Sequence, residues 1–509
     1  MHFRPPPLTA AWRAVLPALL FLPIVLAPPL NHDVAAVLAF TRRWLAGERL
    51  YVDLIDVNPP LIFLLNVAPA MLAEFVPQRL ALVFCVLALG GVCGWLSARA
   101  RDRATEGMTE RAFLDALPVL LVLGAGYDFG QREHLMVIAA LPYVCTAAGR
   151  ATGRRVPGAV AIAVLAALGF ALKPFFLVVP AMVEVSVLLA RRPSGLRALL
   201  GDATPWLLGL VWLVYLAVIA LGFPDFHRVV LPMIWEAYVD LGSLTWAEGL
   251  AVPFMATSLA LLLPGLVLAW VGAGQGALPR LLGCAGVGAV MAALAQHKGW
   301  SYHILPTELF ALALVGLVAA RWRDRADPAR DPGRAAMGLV GLAVVFLVAN
   351  GDAPWMQLAH PGGEAERLSA LLRGQIPNGR VLALSAEIHP VFPATNDAGV
   401  RTTQRAMSTW PLQGAYATCP VDGSRFRAPA AMGPAEAFFF RTLAEDFSSS
   451  PPDAVLLDTD PGLPACNGQK FDFVAYFSRH PAFAATWARY RRVGAEGMFQ
   501  LYRRGPAPP

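Results

Sequence analysis

Residues that could do chemistry are concentrated in five polar segments between apolar runs. The segments are 31–58, 127–134, 173–174, 223–248 and 296–303. They contain five of the nine histidines, which are His32, His134, His227, His297 and His303. Carboxylates, cations and aromatic residues accompany them. If these segments share one side of a membrane, they could line the recess of an enzyme that acts on an amphiphilic substrate.

The apolar runs between these segments are long enough to cross a membrane. The chain is 57% hydrophobic and 15% charged, whereas a soluble protein is about 25% charged. A span needs roughly 17–25 mostly apolar residues. We predict eleven spans, at 12–30, 80–98, 112–127, 135–149, 157–172, 175–190, 203–222, 249–271, 281–296, 303–320 and 335–350. The run 59–75 is interrupted by three prolines and is predicted to be an interfacial or re-entrant helix.

The distribution of arginine assigns the sides of the membrane. With the N-terminus in the cytoplasm, the arginine-rich loops near 99–111, 150–155, 191–197 and 321–334 all face the cytoplasm, as the positive-inside rule requires. Counting 59–75 as a span would reverse this. We therefore predict a multi-pass inner-membrane protein whose five polar segments face the periplasm. The net charge of +6 gives no support for nucleic-acid binding.

A change in composition near residue 351 predicts two domains, a membrane domain 1–350 and a periplasmic α/β domain 351–509. Within the tail we predict helices at 363–374 and 434–446, strands at 380–385 and 454–458, and a hairpin at 490–503. Cys419 and Cys466 could form a disulfide in an oxidising compartment. The other four cysteines lie in apolar runs.

The order of several short motifs resembles a known superfamily. Asp33 follows the first span, Gly47–Asp53 reads G-E-R-L-Y-V-D, and Asn58–Leu61 reads N-P-P-L. Glu133, Lys173 and the Y-H-x-L-P sequence that begins at Tyr302 follow in turn. This order resembles the GT-C glycosyltransferases and is most similar to the bacterial lipid A aminoarabinose transferases and the protein O-mannosyltransferases. Asn58 departs from the lysine that the aminoarabinose transferases carry there.

The resemblance implies an inverting transferase with a polyprenyl-phosphate-linked sugar as donor. A carboxylate in the first outer loop would be the base, and Asp33 is the candidate for it. The other predicted catalytic residues are Glu133, as a second active-site acid, and Asp128. The predicted residues for the lipid phosphate and substrate are Lys173, Lys298, His297, Arg132, His303 and Tyr302. The acceptor could be a lipid, a glycan or a protein, and membrane lipids surround the chain. We predict no metal or other cofactor, although some GT-C enzymes use a divalent cation.

Each candidate also has a structural interpretation. Asp33 could cap a helix, Glu133 could pair with Arg132 or act as a charge at a helix N-terminus, and Asp128 could cap the same turn as Glu133. Lys173 could extend to the membrane surface, and Lys298 with His297 could be an interfacial anchor. Asp53 and Asp56 fit solvated loop positions better than catalytic ones, as do the four polar tail residues Glu387, His389, Asp397 and Arg401.

Two other functions remain open on the sequence. A transporter or flippase of lipid-linked sugars would place functional charges near the middle of the spans. A non-catalytic envelope assembly protein would depend on its tail and tolerate substitution of the carboxylates. The spans are largely free of charge, which favours an enzyme.

Overall fold

The computed structural model describes residues 29–191, 201–272, 275–326 and 362–505. The predicted spans 12–30 (apart from its last two residues) and 335–350, and the predicted domain boundary at 350, lie outside these ranges, so the boundary stays a prediction. Contacts divide the chain into two compact units. The helical unit comprises 80–217 and 244 onwards to 326, and the mixed unit comprises 29–79, 218–243 and the tail from 362.

In the described residues up to 326, the regular secondary structure consists of helices. Its helices are α1 (His32–Leu45), α2 (Leu61–Leu72), α3 (Gln78–Ala100), α4 (Met108–Leu123), α5 (Arg132–Ala151), α6 (Ala159–Phe170), α7 (Val178–Arg191), α8 (Ala203–Gly222), α9 (Leu231–Ala237), α10 (Trp246–Ala251), α11 (Pro253–Val271), α12 (Ala277–Ala295) and α13 (Ser301–Ala326). Short 3₁₀ turns at Gly126–Asp128 and Pro174–Leu177 and a π-helical turn at Phe226–Val230 connect some of them.

Seven helices among the described residues are long and apolar enough to cross a membrane, namely α3, α5, α7 with its preceding 3₁₀ turn, α8, α11, α12 and α13. The predicted class, a polytopic helical membrane protein, is confirmed. The predicted span 249–271 is two helices, because Thr245 and Glu248 form a capping box for α10 and Pro253 begins α11. The predicted interfacial segment forms α2, which has 12 residues. At 1.5 Å per residue it is about 18 Å long, too short for a hydrocarbon core of about 30 Å.

Glycines set two close helix approaches in the helical unit. A Cβ at Gly288 in α12 would lie 2.7 Å from Val179 Cα at the start of α7. A Cβ at Gly169 in α6 would lie 2.8 Å from Ala139 Cβ in α5. Small residues let backbones approach in this way where lipid supplies no hydrophobic force between helices. The approaches fix α12 relative to α7 and α6 relative to α5.

Gly288→Leu is expected to destabilise the helical unit, because the new side chain cannot fit against the backbone of Val179. Overpacking of this kind costs about 1–3 kcal/mol. Thermal unfolding of the detergent-purified protein measures the effect. The matched control is Gly209→Leu in α8, where a Cβ meets nothing within 4 Å. Equal melting temperatures for the two variants would contradict the role given to Gly288.

Charged side chains gather at both ends of the helical unit. Helix α5 carries Glu133 in its first turn and Arg150 in its last turn, 17 residues later (150 − 133), which is about 26 Å along the axis. Arg150 contacts Glu184 at 2.7 Å and Asp202 at 2.8 Å. The two ends therefore hold separate polar clusters, as expected for helices that cross a bilayer.

The tail forms a small α/β structure around a five-stranded sheet. In chain order its elements are α14 (Glu364–Gln375), β1 (Arg380–Leu384), α15 (Val391–Ala398), β2 (Arg401–Thr402), α16 (Trp410–Ala415), α17 (Pro434–Ser449), β3 (Ala454–Asp458), α18 (Phe473–Phe477), α19 (Pro481–Trp487), β4 (Tyr490–Glu496) and β5 (Phe499–Arg504). The strand order is β2-β1-β3-β5-β4, with β1 parallel to β2 and β3 and with β5 antiparallel to β3 and β4. The predicted helices, strands and hairpin of the tail are confirmed, and Cys419 is bonded to Cys466.

Two segments distant in sequence complete the mixed unit. The amide of Ile55 donates to the carbonyl of Arg405 at 2.7 Å. The carboxylate of Glu236 accepts from the amide of Ala435 at 3.0 Å, in the first turn of α17. A carboxylate in that position satisfies helix-terminal amides and opposes the positive end of the helix dipole. The first polar segment and residues 223–243 of the fourth polar segment thus fold with the tail.

Candidate active site

A buried ion pair lies at one end of the helical unit. Lys173 Nζ donates to Glu133 Oε1 at 2.5 Å and to Gln296 Oε1 at 3.1 Å. The Glu133 side chain is 0% exposed and the Lys173 side chain is 11% exposed. The interpretation that Lys173 extends to the membrane surface is therefore wrong. Charges removed from water are tolerated when they are paired and hydrogen-bonded, as they are here.

Three parts of the chain bring this pair together. Glu133 lies in the first turn of α5, after the N-cap Gln131. Lys173 has an extended backbone (φ −145°, ψ 141°) between α6 and Pro174, as expected for a residue that precedes proline. Gln296 is the C-cap of α12. The site thus depends on the glycine-mediated packing of α5, α6, α7 and α12.

One oxygen of Glu133 is left open. Oε2 is buried and has no hydrogen-bond partner in the described part of the chain. The nearby His303 places Nε2 4.0 Å from the other oxygen, Oε1. A buried carboxylate oxygen without a donor is costly and rare in native proteins. A ligand hydroxyl is the kind of group that would satisfy it.

Aromatic rings flank the two lysines. Lys173 Nζ lies 5.1 Å from the centre of the Tyr302 ring, and Lys298 Nζ lies 5.1 Å from the Trp300 ring. The His303 ring meets Tyr302 edge-on, with centroids 4.5 Å apart. Cations over aromatic faces gain electrostatic stabilisation in partly dry surroundings. Predicted site residues Lys173, Tyr302 and His303 therefore lie together around Glu133, and Lys298 lies on the ring of Trp300.

Asp128 is joined to the start of α13. Ser301 Oγ donates to Asp128 Oδ2 at 3.0 Å. The N-cap of α5 is Gln131, whereas Asp128 ends the preceding 3₁₀ turn, Gly126–Asp128. Asp128 and Arg132 are both buried, with 8% and 6% exposure. Both thus lie in the buried segment that leads into α5.

Two histidines of the polar segments stabilise loops. His134 Nδ1 accepts from the Gly130 amide at 3.1 Å, and its Nε2 lies 3.1 Å from the Leu121 carbonyl. The neutral tautomer with the proton on Nε2 satisfies both bonds. The ring of His297, a predicted site residue, packs against Trp246 at 5.4 Å, and its Nδ1 lies 3.3 Å from Leu244 O. These contacts hold the segment before α10 against the loop after α12.

Asp33 lies in the mixed unit. Asn31 is the N-cap of α1, and its side chain accepts from the Asp33 amide at 3.0 Å. The interpretation of Asp33 as the cap is therefore wrong. The Asp33 side chain is 14% exposed, with Oδ1 3.7 Å from His32 Nε2. The ring of His389 lies 6.1 Å from the ring of His32, so the tail contributes a second histidine beside His32.

Two other acids of the first polar segment, Asp53 and Asp56, differ in burial. Asp53 pairs with exposed Arg49, as expected for a solvated residue. The same expectation is wrong for Asp56, which is 5% exposed and accepts from the Asn58 amide at 2.8 Å. Asp56 thereby stabilises the turn that precedes Pro59.

Sequence reasoning missed three residues of the helical unit. Gln296 accepts a hydrogen bond from Lys173, and Ser301 donates one to Asp128. The signal available in the sequence was that both are polar residues within the polar segment 296–303. Glu308 lies in α13, seven positions after Ser301 (308 − 301), and its side chain is buried at 8% exposure. An ionisable residue within an apolar run is itself a signal of function.

Metal ligands are not grouped in the described ranges. No set of three or more His, Cys, Asp or Glu side chains there could hold a metal ion.

The chain shares its fold with a solved membrane enzyme, ArnT. The crystal structure of ArnT, the lipid A aminoarabinose transferase, from Cupriavidus metallidurans bound to undecaprenyl phosphate matches with a TM-score of 0.60 and 11% identity, over 97% of this chain and 99% of that chain. The apo structure of the same enzyme matches with a TM-score of 0.57 and 12% identity, again over 97% and 99%. Neither a protein-family model nor a curated protein matches the chain. The resemblance inferred from the order of motifs is thus confirmed at the level of the fold.

Proposed function

We propose that this protein is an inverting glycosyltransferase that moves a sugar from a polyprenyl phosphate to an acceptor at the periplasmic face of the inner membrane. The observation that carries the proposal is the buried Lys173–Glu133 pair with one open carboxylate oxygen, in a chain with the GT-C fold. The acceptor is a lipid, a glycan or a protein. All three present a hydroxyl or amine nucleophile.

The chemistry needs one base and one site for a leaving phosphate. Asp33 takes the proton of the acceptor as the acceptor oxygen bonds to the anomeric carbon. The bond between that carbon and the phosphate oxygen breaks, and its electron pair leaves on the polyprenyl phosphate. Lys173, Lys298 and Arg132 stabilise the developing negative charge. Inversion follows, because no enzyme nucleophile intervenes.

Glu133 has a positioning role in this proposal. Its Oε1 holds the ammonium of Lys173, which fixes the cation at the end of the helices. Its open Oε2 accepts a hydroxyl of the donor sugar, which orients the ring.

The disulfide of the mixed unit supports the proposed orientation of the chain in the membrane. Disulfides persist in the periplasm and are rare in the cytosol, and Cys419–Cys466 is bonded. The arginine distribution favours the same orientation. Both observations support a periplasmic tail and a cytoplasmic N-terminus.

The test uses a deletion strain and the purified protein. Mass spectrometry of envelope lipids, glycans and proteins should show the loss of one sugar mass in the deletion strain and its return with the wild-type gene. The purified protein in nanodiscs should release undecaprenyl phosphate from the matching lipid-linked sugar when the acceptor is present. An unchanged envelope with no release would refute the proposal, and donor translocation without cleavage would identify a flippase.

A further inference from the structure

A groove in the mixed unit lies apart from the residues assigned to catalysis. It has a volume of about 530 Å³ and is lined by residues of α1, α2, α15 and β2 together with Gln78. We call it the outer groove. The lining residues used below are Arg42, Arg43, Arg401, Thr402, Asn396 and Gln78.

The outer groove carries a net positive charge. Three arginines and one carboxylate, Glu74, line it. Glu48 pairs with Arg43 at 2.6 Å and also with Arg401. If Glu48 is counted with Glu74, three arginines and two carboxylates give the groove a net charge of +1. Arg42 is exposed and makes no ion pair with any residue in the described ranges. An anion could therefore bind without displacing an existing partner of Arg42.

Two polar side chains in the groove have unused hydrogen-bonding atoms. Thr402 is only 3% exposed, and its Oγ1 has no partner among the described residues. Asn396 donates through Nδ2 to Ala35 O and Gln78 Oε1, both at 3.0 Å, while its buried Oδ1 has no partner there. Buried polar groups are normally satisfied. A ligand with both anionic oxygens and hydroxyls would satisfy these two.

The groove lies beside apolar surface that fits a lipid. Gln78 is the first residue of α3, a candidate membrane span. Helix α2 contributes Ala70 to the groove and, with the turn after it, exposes Leu64, Leu65, Met71 and Phe75. Cations next to apolar side chains at the end of a span are typical of sites for acidic lipids.

We propose that the outer groove binds the phosphate-bearing headgroup of an anionic lipid. The guanidinium of Arg42, with Arg43 and Arg401 behind it, contacts the phosphate, and Thr402 Oγ donates to it. A headgroup hydroxyl donates to Asn396 Oδ1. The apolar surface of α2 accommodates the start of the acyl chains. This site does not require the transferase activity proposed above, so lipid binding alone can test it.

The experiment compares lipid retention by the full chain with native mass spectrometry. The purified protein is equilibrated in detergent with phosphatidylglycerol or phosphatidylcholine at equal concentrations. Wild type should retain phosphatidylglycerol preferentially, and Arg42→Gln/Arg401→Gln should lower that retention about tenfold. Thr402→Val should lower it less. The matched control, Arg441→Gln, changes an exposed arginine of α17 outside the groove and should leave retention unchanged.

Three results would overturn the proposal. They are equal retention of the two lipids by wild type, retention by the double variant equal to that of Arg441→Gln, and full displacement of the lipid by glycerol phosphate at the same concentration. The last would assign the groove to a free anion. Thermal unfolding of each variant confirms that a loss of lipid does not come from a loss of fold.

Discussion

Asp33→Asn is expected to reduce sugar transfer about a thousandfold while leaving the protein folded. A positioned general base contributes about 10²–10⁴-fold to a rate. Asparagine keeps the shape of the side chain but cannot take the proton of the acceptor. The cap of α1 is supplied by Asn31 and not by Asp33, so the substitution leaves the helix intact. The measurement is the release of undecaprenyl phosphate from the lipid-linked donor by purified protein.

Two variants separate catalysis from helix stability in this experiment. Asp53→Asn changes another carboxylate of the first polar segment, and this carboxylate pairs with the exposed Arg49. The variant should therefore retain full activity. Asn31→Ala removes the cap, which costs about 1 kcal/mol, and should lower the melting temperature more than Asp33→Asn does. If Asp33→Asn transfers sugar at a rate within threefold of wild type, Asp33 is not the base.

Lys173→Met and Glu133→Gln are each expected to abolish transfer and to destabilise the protein. Removing one member of a buried ion pair leaves the other charge uncompensated, at a cost of about 3–5 kcal/mol. The double variant Lys173→Met/Glu133→Gln removes both charges. We expect it to recover most of the stability and none of the activity, because the phosphate then lacks Lys173 and the donor sugar lacks the carboxylate of Glu133. Thermal unfolding and donor cleavage, measured on the same preparations, give the two readouts.

The pair at the opposite end of α5 provides the control. Arg150 and Glu184 also form a buried contact, at 2.7 Å. Arg150→Met/Glu184→Gln removes a comparable pair about 26 Å away along the helix and should keep donor cleavage near the wild-type rate. Recovery of activity in Lys173→Met/Glu133→Gln would show that the pair acts only in folding.

Much of this fold is predictable from local patterns. Apolar runs predicted the positions of α3 to α8 and of α11 to α13, because a lipid environment requires such runs. The predicted span 157–172 is only partly helical, because α6 has 12 residues and is as short as α2. In the tail, the alternation of apolar and polar residues predicted α14, α17 and the terminal hairpin. The positions of these elements depend on residues close together in the sequence, so a local sequence pattern is enough to predict them.

The site was predictable only in part. The ends of the spans placed Glu133 and Lys173 on one side, but the structural interpretation of Glu133 paired it with the adjacent Arg132. Its observed partner, 40 positions away, depends on backbone approaches at Gly169 and Gly288 that a single sequence does not reveal. The burial of Asp56 was missed for a similar reason. Its segment is covered by the tail, through contacts such as Ile55 with Arg405.

The composition of the mixed unit bears on how this protein can be engineered. Residues 29–79 and 218–243 fold with the tail, and Glu236 satisfies the start of α17 from 199 positions away. A truncation after residue 350 would expose the faces of both segments that now contact the tail. A hybrid that takes its tail from another protein of this fold would have to exchange three stretches of chain at once. Recombination at a single breakpoint would separate segments that contact one another in this unit, as Ile55 contacts Arg405 and Glu236 contacts Ala435.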